Sequence, residues 1–192
     1  MARKIKLVAM GSSTGGVEAL SAILPKLKPP FPPIVVVQHI PAGFSRMFSE
    51  RMNKESALTV KEAEDGELVK PDCVYIAPGG LHMKLIKQNE NLQIKCFMAP
   101  PVHSCRPAVD ILFFSVAELV GAEALGVILT GIGKDGAAGL LAMKNKGALT
   151  LGQDEATSAV YGMPKSAFDC GAVLKQLPLD SMPLTINSMV RQ

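Results

Sequence analysis

The apolar run Ile5-Lys6-Leu7-Val8-Ala9-Met10 stops abruptly at Gly11-Ser12-Ser13-Thr14-Gly15-Gly16. A hydrophobic stretch that breaks at a cluster of small residues and resumes with helical spacing reads as a buried strand turning sharply into a helix. That junction restricts the chain to folds in which strands and helices alternate. It also places Ser13 at the centre of a G-x-S-x-G pentad, the spacing that holds a nucleophilic serine on a strand-to-helix elbow. The same glycines suit a phosphate cradle at a helix N-terminus. Taken alone, the turn leaves both chemistries open.

The rest of the chain repeats the strand–helix alternation. Helical spacing covers residues 17–27 and runs into the connector Lys28-Pro29-Pro30-Phe31-Pro32-Pro33. Ile34-Val35-Val36-Val37 is β-branched and apolar at every position, as a parallel strand covered on both faces should be, and it ends at Gln38-His39. A helix is expected over 43–54, short strands over 58–61 and 73–76, and a hairpin from 83–88 and 92–97 around Asn89-Glu90-Asn91. Beyond these come a helix over 109–120, a strand over 124–129, and the turn Thr130-Gly131-Ile132-Gly133-Lys134-Asp135-Gly136. A helix over 137–146, a strand over 148–151 and a short helix after Pro183 complete the pattern. The expected fold class is α/β: an open, mostly parallel, doubly wound sheet with helices on both faces and an antiparallel hairpin insertion at the edge. A chain of 192 residues fits a single domain, 1–192.

Composition excludes several functions. Aromatic residues make up 5% of the chain and there is no Trp, which disfavours stacking platforms for bases or flavin rings. Lys and Arg exceed Asp and Glu by three, and the longest basic run is Arg3-Lys4, too sparse a charge to track a nucleic-acid backbone. Arg3-Lys4 ahead of an apolar run imitates a signal peptide, but the apolar run is too short and ends in glycines. The longest apolar region, 111–132, is interrupted by Glu118 and Glu123, so no membrane insertion is expected. Cys73, Cys96, Cys105 and Cys170 have no C-x-x-C spacing, which reads as free thiols in a cytoplasmic protein without a bound metal.

In open α/β sheets the ligand site lies beyond the carboxyl ends of the strands. Ser13 follows the first strand, His39 closes the second, and Asp135 follows the strand over 124–129. A serine hydroxyl is inert at neutral pH unless an imidazole takes its proton, and the imidazole needs a carboxylate to fix its tautomer. Three histidines are available. His39, at the end of an apolar strand, is either a satisfied core histidine or the base. His82, in Pro78-Gly79-Gly80-Leu81-His82, is the alternative base or a pocket-lining residue, and His103 reads as exposed. Asp135 is either an ordinary helix N-cap before Gly136 or the orienting acid. Thr14 can offer the amide that follows the nucleophile, and Ser12 reads as scaffolding. The order serine, histidine, acid differs from that of an α/β-hydrolase, whose histidine comes last.

These motifs together resemble the catalytic domain of the CheB chemotaxis protein-glutamate methylesterase family. The resemblance runs from about Lys6 to Val173 through Gly11–Gly16, Gln38-His39-Ile40-Pro41, Ala63-Glu64-Asp65-Gly66, Tyr75-Ile76-Ala77-Pro78-Gly79, Arg106-Pro107-Ala108-Val109-Asp110 and Leu129–Gly136. It implies a catalytic triad of Ser13, His39 and Asp135, oxyanion or substrate contacts from Thr14, Ile132, Gly133 and His82, and no cofactor. It further implies hydrolysis of glutamyl γ-methyl esters on methyl-accepting chemoreceptors, with deamidation of receptor glutamines as a second activity. Nucleic acid is not an implied partner. The chain departs from the family pattern at Ile132, where many members carry methionine. No receiver domain fits ahead of a first strand that starts by Ile5. Two other readings of the residues stay open: a flavodoxin-like phosphate or flavin module, and a catalytically inactive scaffold that binds receptors.

Overall fold

The computed structural model describes residues 4–191; Arg3, half of the basic pair near the start, lies outside them. In chain order the elements are β1 (Leu7–Ser12), α1 (Gly16–Ile23), β2 (Ile34–Gln38), α2 (Phe44–Glu55), β3 (Thr59–Glu62) and β4 (Cys73–Ile76). They continue as β5 (His82–Gln88), β6 (Asn91–Phe97), α3 (Val109–Leu119), β7 (Ala124–Ile128) and α4 (Ala137–Asn145). The last are β8 (Leu149–Gln153), α5 (Met163–Asp169), β9 (Lys175–Leu177) and α6 (Met182–Val190). Seven strands form one sheet in the order β3-β4-β2-β1-β7-β8-β9, and each neighbouring pair is parallel.

The apolar character of β1, β2 and β7 on both faces has a direct structural cause. Successive side chains point to opposite sides of a strand. Leu7, Ala9, Val35 and Val37 pack with α3, α4, α5 and the hairpin. Val8, Met10, Ile34 and Val36 pack with α1, α2 and α6. Two buried layers therefore sandwich the sheet, as parallel sheets require.

Local chemistry explains where the elements differ from the sequence expectation. The helix expected over 17–27 ends at Ile23 and passes into a 3-10 turn at Leu24–Lys26. Pro25 lies in that turn; its ring and missing N–H are incompatible with a continuing α-helix. Strand β9 and helix α5 were not anticipated, because three residues of strand and seven of helix carry too little periodicity. The hairpin turns on two residues, Asn89 (φ 46°) and Glu90 (φ 67°). It forms a two-stranded sheet of its own that lies against α3. Backbone bonds from Val69 to Leu92 (3.0 Å) and from Ile94 to Glu67 (2.9 Å) tie it to the segment preceding β4.

From β1 at the centre of the sheet the chain lays β2 beside it, steps out to the edge strand β3, inserts β4 between β3 and β2, and then returns to lay β7 on the other side of β1. Helix α1 leaves β1 toward one face, and α4 leaves β7 toward the opposite face. The carboxyl ends of β1 and β7 thus flank a topological switch point, where the connections diverge and leave a crevice. No helix among the described residues is long and apolar enough to cross a membrane.

Candidate active site

Ser13 sits at this switch point, partly exposed, immediately after β1. Its amide donates to the Thr130 carbonyl (3.0 Å), and its carbonyl accepts from Gly16 (2.8 Å) and from Nε2 of Gln38 (2.9 Å). The turn needs Gly15: its φ of +78° is costly for any side chain, and a Cβ there would lie 2.5 Å from Cβ of Ala159. A second close approach fixes the other wall. A Cβ on Gly131 would stand 2.6 Å from Cβ of Ser13, so the turn after β7 presses directly against the serine.

His39 follows β2 with its side chain 12% exposed. Its amide donates to the Ser12 carbonyl (3.0 Å), which locks its backbone to the serine turn. On the ring, Nε2 lies 2.7 Å from Oδ2 of Asp135. Asp135 is 2% exposed and accepts three bonds in all: Oδ2 also takes the Val109 amide (2.7 Å) and Oδ1 takes the Asp110 amide (2.9 Å). These two amides belong to the first turn of α3, which the carboxylate caps from outside. The helix-cap role therefore exists, but for α3 rather than for α4, which starts from Gly136 without a side-chain cap. Burial pushes the Asp135 carboxyl up; the His39 ring and the two α3 amides outweigh it and hold the group below its ordinary value. An ionised carboxylate at Nε2 keeps the ring proton there, so Nδ1 carries the lone pair. The sulfur of Cys105 is 3.4 Å from that nitrogen. Burial, then the Asp135 charge, push the Cys105 thiol up, which keeps it a neutral donor to Nδ1.

The remaining sequence candidates fall in two groups. Thr14, Ile132 and Gly133 are exposed around the serine, and among the described residues their amides have no protein acceptor. The Gly131 amide is committed to the Val160 carbonyl (3.0 Å) and is unavailable to an oxyanion. His82 requires a correction, since it is fully buried. Its Nε2 meets the Pro100 carbonyl (3.0 Å) and its Nδ1 accepts from the Ala108 amide (3.2 Å), so the ring braces the approach to α3 and touches no substrate surface. His103 is exposed as expected, and its Nε2 is 3.0 Å from Oδ2 of Asp110.

Gln38, Thr130 and Cys105 are parts of the site that sequence reasoning did not single out. Gln38 is 3% exposed; its amide nitrogen bonds the carbonyls of Ser13 and His39 (2.9 Å each), and its oxygen accepts from Ser12 Oγ (2.6 Å). It therefore joins the two strand ends, and a glutamine ending an apolar strand was the available signal. Thr130 donates to the Thr14 carbonyl (2.9 Å) and accepts from the Val160 amide (2.9 Å). Cys105 comes from a segment without periodicity, where nothing in the sequence signals its proximity to His39.

A family model described as CheB methylesterase matches residues 8–186 of this chain. The chain belongs to the CheB methylesterase family. Among its relatives, the protein-glutamate methylesterase/protein-glutamine glutaminase of Salmonella typhi is 51% identical over 177 residues, which cover 92% of this chain and 51% of that protein. The protein of the same name from Yersinia pestis bv. Antiqua is 52% identical over 168 residues, covering 88% of this chain and 48% of the relative. The chain thus spans about half the length of these relatives. The crystal structure of the Thermotoga maritima CheB methylesterase catalytic domain superposes with a TM-score of 0.94 at 42% identity, covering 97% of this chain and 100% of that one. The parallel sheet with helices on both faces is therefore the fold of a CheB catalytic domain.

Proposed function

We propose that this chain is a serine hydrolase that removes methyl esters from glutamyl γ-methyl ester residues of cytoplasmic chemoreceptor helices, and that deamidates receptor glutamines at the same site. The observation that carries this reading is the part-buried His39–Asp135 pair (2.7 Å) beside Ser13 at the switch point of the sheet. His39 Nδ1 takes the proton of the Ser13 hydroxyl as the oxygen attacks the ester carbonyl, while Asp135 stays ionised and steadies the imidazolium. The amides of Thr14, Ile132 and Gly133 are the donors for the oxyanion, each worth about 10²–10³ in rate. The proton passes from His39 to the departing methoxide, giving methanol. Water then adds to the acyl-enzyme by the same route and returns a glutamate and the free serine. With a glutamine the leaving group is ammonia and the remaining steps are unchanged.

A protein substrate agrees with the surface around the site. Phe44 and Met47, at the start of α2, and Ile132 are 58%, 66% and 64% exposed. Large apolar side chains left open beyond the strand ends suit a macromolecular ligand better than a small one. Arg46 pairs with Glu50 on the same helix (3.0 Å), and Arg51 bonds Ser21 (2.9 Å), so these cations are held in the domain's own contacts.

Covalent labelling by a serine-directed phosphonate tests the assignment. The expected outcome is a single adduct on Ser13 that disappears in Ser13→Ala, together with a fall of about 10³–10⁶ in methanol release from methylated receptors. Methanol release by Ser13→Ala at the parent rate would overturn it.

A further inference from the structure

The lone pair that the proposed mechanism requires on His39 Nδ1 faces a sulfur atom. Cys105 Sγ lies 3.4 Å from Nδ1, and His39, Cys105 and Asp135 each bring a potential ligand atom within 4.8 Å of the others. Two ligands of one tetrahedral zinc, with bonds of about 2.1 Å to nitrogen and 2.3 Å to sulfur, stand about 3.6 Å apart. The observed separation matches that spacing closely. Asp135 on the far side of the ring supplies the outer partner of a metal-bound imidazole, a carboxylate that fixes the tautomer and raises the basicity of the coordinating nitrogen.

The sulfur is also held in place before any ion arrives. Val102 and Cys105 exchange both backbone hydrogen bonds (3.0 and 2.9 Å) across a two-residue turn, with His103 at φ 49° and Ser104 at φ 62°. The His103–Asp110 contact secures the turn to α3. A second cluster, His103, Asp110 and Asp135, lies alongside. It contains no sulfur, and both carboxylates in it already accept backbone amides, Asp110 from Gly139 and Asp135 from Val109 and Asp110. A thiolate–imidazole pair selects borderline-soft ions such as zinc over magnesium or calcium.

We propose that His39 Nδ1 and Cys105 Sγ form an inhibitory site for a thiophilic divalent cation of the zinc class. Binding forms one metal–nitrogen and one metal–sulfur bond, releases the thiol proton to solvent and involves no change of oxidation state. The ion occupies the lone pair that would accept the Ser13 proton, so it is an inhibitor rather than a cofactor. Its inhibitory effect rests on the triad reading above, whereas the binding site does not.

The test uses the chelator-treated protein with Cys170→Ala, which removes the exposed thiol. Cobalt(II) added as a zinc surrogate should produce a near-ultraviolet thiolate-to-cobalt charge-transfer band. The band should vanish in Cys105→Ala and in His39→Gln, each checked for native circular dichroism. No band in the parent, or a band that survives Cys105→Ala, overturns the site. Zinc should slow phosphonate labelling of Ser13, Cys105→Ala should need at least about tenfold more zinc for the same effect, and magnesium should have none. Zinc that binds but leaves labelling untouched overturns the inhibition. Should the metal-free parent itself fail to label at Ser13, the triad reading fails, and the cobalt band still decides the site.

Discussion

Asp135 is the residue on which most of the site's electrostatics converge. It is 2% exposed, and its negative charge is stabilised by the His39 ring and by two amides of α3. A carboxyl held below its ordinary value stabilises the fold fully above that value, 3.8 here, and loses that contribution as pH falls through it toward the folded-state value. Asp135→Asn should therefore lower stability at neutral pH by about 1–3 kcal/mol, since a neutral amide accepts the same bonds less strongly. Its loss of stability as pH falls below about 4 should be shallower than the parent's. Chemical denaturation at a series of pH values measures both. An acid limb of identical slope in the two proteins would assign the stabilising charge elsewhere. The same substitution should cut turnover by about 10⁴, because the ring loses the partner that fixes its tautomer.

At the scale of elements, the turns after β1, β2 and β7 form the site, and they were legible to different degrees. The two ends of β1 and β2 announced themselves because polar residues terminate strands that are otherwise apolar throughout, leaving Ser13 and His39 at the same sheet edge. Asp135 was legible as a residue but not in its full role: aspartate before glycine suggests a cap for the following helix, whereas the carboxylate caps α3, whose first residue is 26 positions away. That partnership depends on how α3 docks, which no local pattern encodes. His82 misled for the converse reason, since a loop histidine between glycines and a hairpin reads as accessible and is buried under the approach to α3. The turn after β7 carries a prediction of its own. Gly131→Ala would bring a methyl group to 2.6 Å from Cβ of Ser13 and 3.0 Å from its amide nitrogen. The nearest atom, Met163 Sδ, ends a flexible side chain that can swing aside, but Ser13 Cβ and its amide nitrogen are fixed by a backbone already bonded to Thr130, so the serine turn must shift. A displacement on the order of 1 Å is enough to cost about 10²-fold in rate. Phosphonate labelling rate compared with the thermal midpoint separates this from general instability; labelling at the parent rate would mean that the turn yields without disturbing Ser13.

Over the whole molecule, stability should follow position in the sheet. Strands β1, β2 and β7 are central, buried at every position and covered on both faces, whereas β9 is a three-residue edge strand. Native-state hydrogen exchange should find the slowest amides in β1, β2 and β7, opening only with global unfolding, and earlier exchange in β9. Uniform protection from β1 to β9 would contradict this ordering. One arrangement links the core to the chemistry in another way. The carboxylate that sets the imidazole is anchored to the first turn of α3, and α3 is in turn pinned to the hairpin by the buried Ser115 hydroxyl, which accepts from the Leu85 amide (2.9 Å). The outer side of that helix carries Phe114, 48% exposed. The helix start and the imidazole share one carboxylate, so the seating of α3 and the orientation of the His39 ring are a single geometric constraint.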